Sequence, residues 1–171
     1  AGYYPKPKPL AFSAFLSVQN LTGIYSPFTV EANYNQDMTP YNIPFTACHE
    51  LSHLRGFMQE EEANFIAWLA CKDAPETELQ YSGSMLAWIH CMNVLYEEDR
   101  AAWSEIREIL SEEADVDLRE NSKFWDKWDG AVAEVSEQIN DNYLKANGQK
   151  DGVQSYGRMA DLVVAYYLWE E

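Results

Sequence analysis

The sequence predicts a mainly α, compact domain with at most a small β-hairpin or edge strand ahead of the helix that carries its most specific motif. Most segments place apolar residues three or four positions apart, which is the period of an amphipathic helix. Only one segment near the N-terminus combines β-branched and aromatic residues in the manner of a strand. Apolar residues make up 47% of the 171 residues, enough for the core of a single domain, which we place at 10–171.

The N-terminal third contains the segments with the least helical character. Residues 1–9 contain three prolines, which predicts an extended segment that leads into the domain. We expect the natural chain to be longer and to continue upstream of this segment. A short helix is predicted over Leu10–Leu21, ended by Thr22-Gly23. Ile24–Asn35 favours a hairpin or edge strand and an ordered loop about equally, because the proline at position 27 restricts pairing to an edge or a bulge.

The rest of the chain is predicted to be helical. The first expected helix begins between residues 41 and 44 and ends near Arg55, and the second covers Glu60–Lys72. A third begins at Thr77, which is expected to cap it. The remaining helices are expected over Asp99–Ser111, Phe124–Ala146 and Ser155–Trp169. The acidic stretch Glu112–Asp117 predicts a break, and the last helix, apolar almost all round, is expected to be central. The sequence has neither a signal peptide nor an apolar run of 18 residues that could span a bilayer.

The most specific motif is His49-Glu50-Leu51-Ser52-His53, an HExxH pattern inside an apolar context. Residues four apart lie on one face of a helix, so both imidazoles point the same way and offer half of a tetrahedral Zn²⁺ site. Glu50 is then placed to accept a proton from water at the metal. The alternative is a helix with two surface histidines and a solvated glutamate.

A zinc site also needs a third protein ligand. Gly56 lies three residues past His53, where a glycine can end the helix in a left-handed conformation and turn the chain back. The acidic run Glu60–Glu62 follows at once, and we expect one of its members to bind the metal. The alternative is that these acids only favour a helix N-terminus through the macrodipole.

This region resembles the HExxH zincins of the gluzincin type, which carry a glutamate ligand on a second helix. The matching residues are Glu60-Glu61-Glu62-Ala63-Asn64, with asparagine in place of the usual aspartate. The resemblance implies that Glu60 is the third ligand, with Glu62 as the second choice, and that Asn64 is a hydrogen-bond partner of a ligand histidine. The fold it implies is a zincin-like helical domain.

A closer resemblance is to an uncharacterised bacterial family of membrane-anchored, predicted zinc peptidases. The residues that carry it are Pro44-Phe45-Thr46, Arg55-Gly56, Glu62-Ala63-Asn64-Phe65, Tyr25-Ser26-Pro27-Phe28-Thr29, Glu31-Ala32-Asn33, Tyr143 to Gln149 and Gly152 to Arg158. The resemblance implies a peptide or protein substrate. It also implies attachment to a membrane only through segments absent from this chain, with the extracytoplasmic side favoured.

Hydrolysis of a peptide bond also needs a donor for the oxyanion of the tetrahedral intermediate. Tyr156 and Arg158 follow a glycine-bearing loop at the start of the last helix, so we expect them to lean over the metal. The alternatives are that Tyr156 fills the core and that Arg158 neutralises a buried acid. Tyr81 is a further candidate, whereas a lone histidine at position 90 is expected only to pack.

Composition limits the partners and leaves a second class of function open. The chain has 28 acidic against 12 basic residues, a formal charge of −16 that repels nucleic acids and anionic membrane surfaces. Its three cysteines are widely spaced and predict buried free thiols. The alternative to a zinc peptidase is a catalytically inactive zinc- or peptide-binding sensor or scaffold domain. The oligomeric state does not follow from the sequence.

Overall fold

A computed structural model describes residues 4–130 and 158–170 of the chain. These residues are mainly helical, with one small sheet near the N-terminus, which confirms the predicted fold class. The helices are α1 (Ser13–Val18), α2 (Asn42–Leu54), α3 (Glu60–Lys72), α4 (Thr77–Glu98), α5 (Arg100–Glu108), α6 (Glu112–Asp126) and α7 (Arg158–Glu170). The strands are β1 (Lys8–Pro9), β2 (Gly23–Ser26) and β3 (Glu31–Tyr34).

The sheet has the order β1-β3-β2, so β2 lies at one edge. Strands β2 and β3 form an antiparallel hairpin in which Gly23 pairs with Tyr34, and the two residues of β1 add to β3 in parallel. The segment predicted as either a hairpin or a loop is therefore a hairpin. Pro27 lies in the connecting turn, where its missing N–H removes no bond from the strand ladder.

Helix α2 lies at the centre of the described domain, packed against α3, α4 and the hairpin. The buried core joins α2, α3, α4 and α7 through apolar residues of each helix: Phe45, Ala67, Trp68, Cys71, Ala87, Met159 and Val163. A second buried cluster contains Tyr41, which precedes α2, together with Met85 of α4 and Ala114 of α6. The helix that carries the HExxH motif is thus fixed from several sides.

A tight turn at Gly56 ends α2 and leads directly into α3. The Gly56 N–H donates to the carbonyl of His53 (2.9 Å) and the Phe57 N–H donates to the carbonyl of Ser52 (3.2 Å), which is the Schellman pattern of helix termination. Gly56 has a φ of +95°, as predicted for a left-handed cap. The turn brings the first residue of α3 alongside the last turn of α2.

Two predictions about where helices begin are wrong. Thr77 does not cap α4; Glu76 occupies the cap position and Thr77 lies within the first turn. The predicted acidic break Glu112–Asp117 is the start of α6. The Ser111 hydroxyl accepts from the Ala114 N–H, and the acids of this first turn face the positive end of the helix dipole.

The C-terminal predictions are confirmed in part. Helix α7 exists, but it is not central, because only one face packs on the core and the other is exposed, with Trp169 91% accessible. Of the predicted helix Phe124–Ala146, the first three residues end α6 and 127–130 form a turn. The remainder lies outside the described residues. Among the described helices none is long and apolar enough to cross a bilayer.

Replacement of Gly56 by alanine tests the turn that joins the two helices. An added methyl group would meet no atom within 4 Å, so the cost comes from the positive φ, which disfavours an L side chain by about 1–2 kcal/mol. We expect Gly56→Ala to lower Tm by roughly 2–8 °C. Gly130→Ala is the control, since Gly130 also has open space but no positive φ. Equal melting temperatures for both variants would contradict this account.

Candidate metal centre

His49 and His53 lie one turn apart on α2 and point toward the same place. Their Nε2 atoms are 3.0 Å apart, and both side chains are largely buried. Two nitrogen atoms at this separation are either joined by one proton or bound to one cation. The spacing of the HExxH motif therefore produces the convergence that the helix period predicts.

Glu60, the first residue of α3, supplies the carboxylate that faces these imidazoles. Its Oε2 lies 3.2 Å from His49 Nε2 and its Oε1 lies 3.6 Å from His53 Nε2. Glu62, the second choice from the sequence, is exposed, while Glu61 is buried and faces Arg158. Of the three acids, Glu60 is the one that groups with the histidines, and the three ligand atoms lie within 4.8 Å of one another.

The distances between the two imidazole nitrogens and the carboxylate of Glu60 are close to those found around a tetrahedral metal ion. Bonds of about 2.0–2.1 Å at tetrahedral angles place neighbouring ligand atoms roughly 3.3 Å apart. The two Nε2 atoms are 3.0 Å apart, and each lies near a different oxygen of Glu60, at 3.2 Å for His49 and 3.6 Å for His53. Residues His49, His53 and Glu60 thus form a group that could hold a metal ion through two nitrogens and one oxygen.

A hydrogen bond to its outer ring nitrogen orients His53, whereas His49 lacks one within the described part of the chain. His53 Nδ1 lies 2.8 Å from the carbonyl oxygen of Phe57, which can only accept, so Nδ1 carries the proton and the Nε2 lone pair points inward. His49 Nδ1 is buried without a partner of hydrogen-bonding geometry among the described residues. Asn64 nevertheless lies close enough to contribute to the raised pKa of His49, in the place where the resemblance puts a partner.

The charges of the group favour a cation between its members. Burial disfavours the charged imidazole of His49, but the carboxylates of Glu60 and Glu50 outweigh it and raise its pKa. Burial alone would raise the pKa of Glu60, yet the two imidazoles lower it overall. For His53, burial and the neighbouring His49 lower the pKa. The nearby carboxylates thus favour positive charge at the imidazoles, which a proton or a bound metal ion can supply.

Glu50 lies in the middle of the motif and is buried, with only 5% of its surface accessible. Burial raises its pKa to about 7; His49 opposes this shift and Glu60 adds to it. Strand β2 covers it closely, because a methyl group at Gly23 would lie 2.5 Å from Glu50 Oε1. Glu50 is therefore an acid held near its point of titration at neutral pH.

A cavity of about 1070 Å³ opens beside the centre. The hairpin forms one wall, α2 and the start of α3 form a second, and α4 forms a third. Its lining includes Gly23, Ile24 and Tyr25 from β2, His49, Glu50 and His53 from α2, Glu60 and Asn64 from α3, and Leu86 and His90 from α4. A ligand in this cavity would contact the centre and the edge strand together.

Tyr25 and His90 are among the lining residues that were not predicted to belong to the site. His90 was expected only to pack, because it stands alone in α4 without a motif around it. For Tyr25, the residue types of Ile24–Asn35 did favour a strand, but only the pairing with β3 defines which face it occupies. Neither residue carried a local signal sufficient to assign it.

The predicted oxyanion donors are not brought to the centre within the described residues. Arg158 lies 3.6 Å from the buried Glu61, which is the structural alternative given above, and it does not line the cavity. The Tyr81 hydroxyl donates to Asp117 on α6 (2.6 Å) and also lies outside the lining. Tyr156 lies outside the described residues, so its role stays a prediction.

The cysteines are free, as predicted, but only Cys71 of the three is fully buried, and none joins the ligand group. Cys48 precedes His49 in the chain but faces α3, where its Sγ lies 3.8 Å from that of Cys71. Neighbouring residues of a helix are rotated by about 100° about its axis, so the thiol of Cys48 points away from the ligand group.

Comparison of the chain with curated proteins and with solved structures finds no match. A family model described as "Protein of unknown function (DUF3810)" matches residues 1–164, almost the whole chain. The HExxH motif, Glu60 and the hairpin all fall within the matched range. The chain therefore belongs to the DUF3810 family.

Proposed function

We propose that the protein is a zinc-dependent peptidase. The observation that carries the proposal is the convergence of His49, His53 and Glu60 beside a buried Glu50, at the wall of an open cavity. Two imidazoles and one carboxylate are a ligand set typical of catalytic zinc sites, which keep one coordination position for water or substrate. The resemblance to gluzincins, stated above from the motif, agrees with this ligand set.

Zinc bound by these residues would supply a Lewis acid that lowers the pKa of water and polarises a carbonyl. Glu50 holds and moves the proton. Its carboxylate lines the cavity next to His49, where it can accept a proton from water and return it to the leaving amine, as a general base and acid does. The carbonyl of Phe57 keeps the imidazole of His53 oriented.

A peptide is the substrate class that the shape of the site favours. Strand β2 forms the edge of the sheet, and Gly23, Ile24 and Tyr25 line the cavity beside His49 and Glu50. An extended peptide can pair its backbone with such an edge. Pairing there would hold a peptide bond next to the centre.

The alternative is a zinc- or peptide-binding domain without turnover, acting as a sensor or scaffold. Glu50 argues against it. A structural metal site has no need of a second carboxylate that does not bind the metal, and burial of this carboxylate destabilises the fold at neutral pH. A role in proton transfer explains its retention. From the same resemblance, we also propose that segments absent from this chain anchor the domain on the extracytoplasmic side of a bacterial membrane.

Zinc binding tests the ligand group. Because Glu60 supplies one of three ligands, we expect Glu60→Gln to weaken zinc affinity by at least about 100-fold, more than changes outside the ligand set usually do. Competition with a chromogenic chelator measures the affinity. Glu62→Gln is the matched control, since Glu62 is exposed on the same helical turn. Unchanged affinity in Glu60→Gln would remove this residue from the group.

Glu50→Gln separates proton transfer from metal binding. The amide retains the size of the side chain but accepts no proton, so we expect kcat to fall by at least about 100-fold. Zinc content should remain equal to that of the wild type. Cleavage is measured with a mixture of peptides, by mass spectrometry, with and without chelator. Wild-type activity in this variant, or a wild-type protein that cleaves no peptide when loaded with zinc, would count against the proposed function.

The raised pKa of Glu50 also predicts a pH dependence of stability. A carboxyl whose pKa rises from 4.5 when unfolded to about 7 when folded favours the folded state only in its protonated form. Metal-free wild type should thus lose stability between about pH 5 and pH 8, by an amount on the order of 3 kcal/mol that Glu50→Gln does not lose. Melting curves at several pH values measure the difference in stability between the wild type and Glu50→Gln, with Glu62→Gln as control. A difference that does not change with pH would contradict the prediction.

A further inference from the structure

The face of the hairpin that carries Tyr25 is the face that packs on α2. A methyl group added at Gly23 would point toward Glu50 on α2, so Gly23 lies on the face that packs on α2. Tyr25 follows two residues later and pairs across the hairpin with Ala32, which is 1% accessible, so both lie on the same side. Ile24 lies on the opposite face and is 42% accessible.

The side chain of Tyr25 therefore lies on the face of the hairpin that is turned toward α2. The residue is half-buried and lines the same cavity as His49, Glu50 and His53. Its hydroxyl makes no hydrogen bond with any residue in the described ranges 4–130 and 158–170. The hydroxyls of Tyr81 and Tyr166, in contrast, are bonded to Asp117 and Lys72. A half-buried phenol usually has a hydrogen-bond partner, and a ligand in the cavity could supply the one that Tyr25 lacks among the described residues.

Hydrolysis of a peptide bond develops negative charge on the carbonyl oxygen, and a donor aimed at that oxygen lowers the barrier. A peptide paired with β2 would lie directly beside Tyr25. We propose that the Tyr25 hydroxyl is the donor to the carbonyl oxygen of the bond that is cleaved, an assignment that rests on the proposed peptidase function. His90 also lines the cavity, but it already interacts within the protein.

The matched pair Tyr25→Phe and Tyr34→Phe tests this role. Both remove one hydroxyl from the same hairpin, and Tyr34 does not line the cavity. We expect Tyr25→Phe to lower kcat by about 100-fold with little change in KM, the loss typical of one oxyanion donor. Tyr34→Phe should match the wild type. Equal kcat values for Tyr25→Phe and wild type, or a comparable loss in Tyr34→Phe, would overturn the assignment.

Binding measurements provide a readout that a purely structural role would not change. A peptide phosphonate, which mimics the tetrahedral intermediate, should bind Tyr25→Phe more weakly by the same factor as the loss in kcat. An uncleaved peptide should bind Glu50→Gln and the double variant Tyr25→Phe/Glu50→Gln equally. If both ligands weaken together, Tyr25 contributes to general binding and the assignment fails.

A measurement on the wild-type chain covers the case in which the variant does not fold. With tyrosines labelled at Cζ, the Tyr25 carbon signal should shift when the phosphonate binds, whereas that of Tyr34 should not. No shift at Tyr25 would overturn the assignment. Failure of the proposed function is distinguishable, since zinc-loaded wild type would then cleave no peptide at all, whatever residue stands at position 25.

Discussion

The close approach of α2 and α3 at a five-residue connection is the constraint on which the candidate site depends. The left-handed turn at Gly56 reverses the chain so sharply that Glu60 faces His49 and His53 across 3.2 and 3.6 Å. A short connection costs little entropy to close. The same turn also supplies the carbonyl of Phe57, which fixes the proton of His53 on its outer nitrogen. One local feature thus brings in a ligand and orients another.

The hairpin adds the second constraint. A glycine at position 23 allows β2 to approach α2 until it covers Glu50, and exclusion of water by this contact contributes to the raised pKa of the carboxyl. The strand that buries the acid also forms the free edge of the sheet and a wall of the cavity. Burial of the proton-transfer group and access for an extended chain therefore come from the same element. A larger residue at position 23 would displace Glu50, Thr46 or the strand itself.

The helices were predictable where a regular pattern and a termination signal coincide. The predicted span of α3 agrees with the structure at both ends, and α2 differs by about one residue. The acidic start of α6 was predicted to be a break because neighbouring acidic side chains repel one another. In the structure, the cap at Ser111 and the positive end of the helix dipole compensate for this repulsion. The exposed face of α7 was also misjudged. Its composition is apolar all round, but the core contacts only one side.

The sequence alone determined the pairing of His49 with His53 and the position of Glu50 between them, because a helix period relates residues four apart without help from the rest of the chain. Which residues from other parts of the chain lie next to these two histidines was decided only by the tertiary structure. Glu60 rather than Glu62 faces the imidazoles because of the angle at which α3 leaves the turn, and Arg158 meets Glu61 because α7 packs on α3. Tyr25 reaches the cavity only through the register of a hairpin. These contacts depend on directions between elements, which local residue patterns do not encode.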